Sequence, residues 1–88
     1  MWGAKTYDGV WFTSYSHDHS PPHIHGLIAG AEVVIDLLPD GRVVRSRRAK
    51  SVKPANARKS DVRRILIVAA AHVEELQTLW EKAHGQAS

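Results

Sequence analysis

An amphipathic helix needs something to lie against, and that need constrains this chain more than any other feature. From Val62 onward, apolar residues recur at intervals of three and four: Val62, Ile65 and Leu66, Ala69, Val73, Leu76, Leu79 and Trp80, then Ala83. This is the period of a helix with one apolar stripe. Ser60 or Asp61 is the expected N-terminal cap, and Gly85 follows the expected end. Unbroken, the helix would be about 34 Å long at about 1.5 Å per residue. That is long for a domain of 88 residues, so a break near His72 is a natural place to shorten it. The run bounded by Ile65 and Ala71 is apolar all round, which predicts cover on more than one side. A sheet supplies one side. A second copy, a partner chain or the protein's own loops would supply the other.

Ahead of the helix the pattern has a period of two. Residues 9–15 are aromatic and β-branched and read as a strand. Residues 16–22 form a bend, because Pro21-Pro22 forbids regular pairing. Residues 23–28 make a second strand, and Gly30 turns the chain into a third, in which Val33, Ile35 and Leu37 share a face. Pro39-Asp40-Gly41 is a strong hairpin turn, followed by a short strand over 42–46. The stretch 47–59, with Pro54 and Asn56, reads as a loop. The expectation is one α+β domain over residues 1–88: three or four antiparallel strands at about 9–46, a basic loop at about 47–59, and a helix at about 60–83, long or split in two.

Cysteine is absent, which excludes disulfides, thiolate nucleophiles and cysteine-ligated metal centres. Residues 1–16 hold no apolar signal core and no run is long enough to span a bilayer, so a cytoplasmic protein without a membrane partner is expected. The net charge of +3 hides a division. Residues 42–64 carry ten of the twelve basic side chains against Asp61 alone, a net of +9, and the remainder carries −6. A cationic region of this kind suits a polyanion or an acidic protein surface. Arg45, Arg47, Arg48, Lys50, Lys53, Arg58 and Lys59 are the candidate nucleic-acid contacts.

Four of the six histidines fall in one short run, His17-Asp18-His19-Ser20-Pro21-Pro22-His23-Ile24-His25. In extended chain each His-x-His pair points two imidazoles the same way. Three readings stay open. Paired imidazoles with Asp18 suit a divalent metal. Two histidines can take and give a proton at a phosphodiester, with the basic segment holding phosphates. Alternatively, Asp18 and the histidines simply tie down a tight turn. The candidate catalytic residues are Asp18, His19, His23 and His25. The Pro-Pro link holds the two pairs apart when extended, so no tight cofactor is expected, and at most weak, pH-dependent divalent binding by His17, His19, His23 and His25. His-x-His-x-His, His-Glu-x-x-His, a P-loop and a Gly-x-Ser-x-Gly elbow are all missing from the sequence.

The run Asp18-His19-Ser20-Pro21-Pro22-His23-Ile24-His25 resembles the hallmark of a bacterial family recorded as domain of unknown function 4160, Asp-His-x-Pro-Pro-His-x-His. The aromatic strand before it, the Val33 to Leu37 strand with its acidic turn, and Glu75-Leu76-x-x-Leu79-Trp80-Glu81 extend the likeness over residues 9–84. The basic segment 45–59 is longer and more cationic than is usual for the family. No established catalytic residues carry over. The resemblance implies a neighbour from a second small family, numbered 2442, in pairs proposed as toxin–antitoxin modules. On that basis the expectation is a toxin-like protein acting on RNA or a translation component, metal-independent if it is a ribonuclease, with a small acidic antitoxin-like partner. The alternatives are a non-catalytic metal-binding or regulatory module, and a structural homodimer whose histidine turn only shapes the interface; separately, the run from Ile65 to Ala71 is a candidate homo-oligomer contact.

Overall fold

The computed structural model describes residues 5–14 and 22–83. Six short strands come first: β1 (Lys5–Tyr7), β2 (Val10–Thr13), β3 (His23–Ile28), β4 (Ala31–Leu37), β5 (Val43–Arg45) and β6 (Val52–Lys53). Two helices follow, α1 (Lys59–Ala71) and α2 (Val73–Ala83). The α+β class, the antiparallel sheet and the pair of C-terminal helices agree with the sequence reading. The sheet runs β1-β2-β3-β4-β5, with β6 also paired to β4.

Two strands exceed the expected four, each for a local reason. Asp8 and Gly9 have φ of 49° and 83°. Two consecutive left-handed residues make the tight hairpin turn that matches strand twist, and Lys5–Tyr7 folds back onto β2 through it. β6 lies inside the stretch expected to be loop. Val52 and Lys53 pair with Val33 and Glu32, while β5 pairs farther along the same edge of β4. Both ends of the excursion between them, residues 46–51, are pinned on Val34. Ser46 N–H donates to its carbonyl at 2.9 Å, and Val34 N–H donates to the Ser51 carbonyl at 2.8 Å. The basic loop is therefore an anchored bulge followed by a strand.

The predicted hairpin at 39–41 is present: Gly41 has φ of 89° and its N–H donates to the Leu38 carbonyl at 3.0 Å. The Arg42 backbone N–H and then its guanidinium bond the Asp40 carboxylate and hold it below its usual range.

Val10, Phe12, Ile24, Val33, Ile35 and Leu37 form the sheet side of the core. α1 lies across β3, β4 and β5 and buries Ile65, Val68 and Ala69; α2 adds Leu76, Leu79 and Trp80. Gly26 permits the close approach of α1. A Cβ there would stand 2.6 Å from Ile65 Cγ2 and 3.1 Å from Phe12 Cε1. The helices break at His72, whose ring stacks on Tyr7 with centroids 4.1 Å apart.

Two expectations for this segment are corrected. Neither Ser60 nor Asp61 caps α1: Arg58 holds the cap position in extended conformation, and the N–H groups of Asp61 and Val62 both donate to its carbonyl. Nor is the apolar run covered all round. Val68 is 5% exposed and belongs to the core, whereas Ile67 is 61% exposed and Ala70 and Ala71 lie on the surface with it. A face of small and β-branched residues reads as apolar in sequence whether or not anything lies on it. Among the described residues, no helix is long and apolar enough to cross a membrane.

Candidate functional site

Alternation along β3 sends Ile24 and Gly26 toward α1 and the core, and His23 and His25 to the opposite face. The two rings lie 5.5 Å apart in an edge-to-face arrangement. In the antiparallel register His23 stands opposite Asp36 and His25 opposite Val34. Glu32 is the diagonal neighbour of His25, within reach of a long side chain, and its Oε2 lies 2.9 Å from His25 Nδ1.

The anchored bulge brings the second component. Ser46 is buried, and its Oγ accepts the Arg48 backbone N–H at 3.1 Å, which sets the direction of the bulge. Arg48 then places its guanidinium 3.3 Å from His23 Nδ1. Trp80 of α2 reaches the same imidazole, with ring centroids 5.3 Å apart. His23 is enclosed, at 2% exposure, while the His25 side chain is 13% exposed. Beside them Pro22, Asp36, Trp80 and Glu81 border a hollow of about 460 Å³. Asp36 Oδ1 is buried there without a hydrogen-bond partner among the described residues.

Donor and acceptor roles follow from the partners. Arginine only donates, so His23 Nδ1 accepts, and a neutral His23 carries its proton on Nε2. Ionised Glu32 only accepts, so His25 Nδ1 donates, and a neutral His25 carries its lone pair on Nε2. These two contacts favour opposite tautomers when the rings are neutral.

A model of the family described as Domain of unknown function (DUF4160) matches residues 9–81. The chain belongs to the DUF4160 family. No curated protein and no solved structure gives a match. His23, His25, Glu32, Arg48 and Trp80 all fall inside the segment shared with DUF4160.

Of the site residues read from this DUF4160 sequence, His23 and His25 come together, and Arg48 joins them. Asp18 and His19, with His17, lie outside the described residues. Among the described residues, no three histidine, aspartate or glutamate side chains gather as a metal site would require. The basic residues divide. Arg47 and Lys50 are exposed on the bulge that carries Arg48. Arg45 and Lys59 line a groove beside α1, Lys53 borders a hollow with Trp11 and Glu32, and Arg58 caps α1. Sequence reasoning passed over Glu32, Asp36, Ser46 and the contact of Trp80 with His23. Glu32 was within reach: a two-residue turn at Ala29-Gly30 sets the register of β3 on β4 and puts it diagonal to His25.

Proposed function

We propose that this protein is the toxin-like member of a bacterial two-protein module, acting on RNA in the cytoplasm through His25 and the cationic bulge at residues 46–51. The observation that carries this reading is the 3.3 Å contact of Arg48 with His23. It joins the histidine run to the basic segment, two features 25 residues apart in the chain. Exposed Arg47 and Lys50 on the same bulge supply phosphate contacts. His25, held by Glu32, takes the proton of a ribose 2′-hydroxyl on Nε2 as that oxygen attacks the adjacent phosphorus. The imidazolium so formed, or water, returns a proton to the departing 5′-oxygen. Enclosed His23 and the exposed Arg48 beside it act as positioning residues. This chemistry uses no metal, so chelation with EDTA should leave the rate unchanged.

The test pairs growth arrest on induction with cleavage of purified RNA, read as 2′,3′-cyclic phosphate ends. His25→Ala should lower the cleavage rate by about 10²-fold or more and abolish arrest, with the folded circular dichroism spectrum retained and a stability loss of about 1–3 kcal/mol for the lost Glu32 contact. Full arrest by His25→Ala, or a wild-type protein that neither binds nor cleaves RNA, would overturn the reading.

A further inference from the structure

A second surface lies away from the histidines, where α1 meets the β5 edge. A groove of about 840 Å³ runs there, with Val43, Leu66 and exposed Ile67 on its floor and Arg45, Lys59 and Arg63 around it. No carboxylate and no aromatic ring lines it among the described residues. Its strand wall is an open sheet edge. Leu38 N–H donates to the Arg42 carbonyl, and Ser46 N–H donates to the Val34 carbonyl, each at 2.9 Å. By the alternation of an antiparallel ladder, Val44 also turns its backbone groups to β4. Val43 and Arg45 turn theirs outward, to the groove side.

We infer that this groove receives an acidic, extended segment of a partner protein, added as a strand along β5 with alternate apolar side chains against Leu66 and Ile67. Charge and chemistry select that occupant. A second copy would bring Lys59 and Arg63 against a like-charged surface. RNA would find cations but no ring on which a base could stack, over an aliphatic floor it does not need. An acidic strand satisfies the open backbone groups, the apolar floor and the three cations together. The inference rests on the two-protein reading for the existence of a partner, and on the groove for that partner's chemistry.

The test uses the whole protein and a fluorescent, end-capped peptide alternating valine and glutamate. Anisotropy should show saturable binding that weakens with salt. Ile67→Glu should weaken it about tenfold or more, the loss of one buried aliphatic contact plus a like charge, and Arg63→Glu should also weaken it. Both positions are exposed, and circular dichroism should show both variants folded as wild type. The same peptide N-methylated at alternate residues keeps its side chains but cannot pair, and should not bind. His25→Ala should bind the peptide as wild type does, and Ile67→Glu should cleave RNA as wild type does, which separates this inference from the activity. Absence of peptide binding, or equal binding of the N-methylated peptide, would overturn it. So would a homodimer that Ile67→Glu dissociates, or a single-stranded RNA whose affinity falls with Ile67→Glu.

Discussion

At the scale of single residues, two backbone positions carry more of the fold than their side chains suggest. Gly26 lets Ile65 sit against β3, and the atom a Cβ would meet is a methyl on a β-branched side chain packed in the core. It has little room to give. Gly26→Ala should destabilise the protein by about 1–3 kcal/mol through overpacking, seen as a lower midpoint in denaturant. Ala29 is the opposite case. It holds φ of 51° in the β3–β4 turn, a left-handed conformation that costs an alanine about 1–2 kcal/mol. Asparagine tolerates that region and Asp8 already occupies the equivalent place in the β1–β2 turn. Ala29→Asn should raise stability by up to about 1 kcal/mol, a gain of several degrees in Tm for a domain of this size. Calorimetry would check it.

At the scale of elements, α1 shows how one apolar run divides its labour. Val68 points into the core and Ile67 away from it. The run from Ile65 to Ala71 is therefore not one uniform face, and glutamate at these two positions acts differently. Val68→Glu buries an unpaired carboxylate and should cost about 3 kcal/mol or more, enough to unfold much of a small domain. Ile67→Glu should change stability by no more than about 0.5 kcal/mol. Chemical denaturation of the two variants side by side checks the difference. The bulge between β5 and β6 shows a second division. The sequence 47–59 reads as loop because Pro54, Asn56 and many cations break any period, and the two-residue β6 is too short to register as one. Its pairing comes from β4, whose edge is longer than β5 can cover.

At the scale of the whole molecule, charge is segregated: a net of +9 over residues 42–64 and −6 elsewhere. Arg48 on the bulge stands beside His23, while Arg45, Lys59 and Arg63 surround the groove by α1. Replacing Arg47 and Lys50 together with serine should lower the slope of log RNA affinity against log salt by about 1–2, the release of about two counterions. Ile67→Glu should leave that slope unchanged. Filter binding across a salt series measures both. The α+β class, the inward face of β4 at Val33, Ile35 and Leu37, the turn at 39–41 and the helical stripe broken near His72 were legible in the amino-acid order alone. Each depends on periodicity or turn preference acting over a few neighbouring residues. The β1–β2 hairpin was passed over, although Asp8-Gly9 is a turn signal of the same short-range kind. The meeting of Arg48 with His23 was not legible, because it depends on where a bulge pinned to Val34 falls across the sheet. The exposure of Ile67 was equally hidden. An all-apolar run has no direction of its own, and the width of the sheet beneath α1 decides which side is covered.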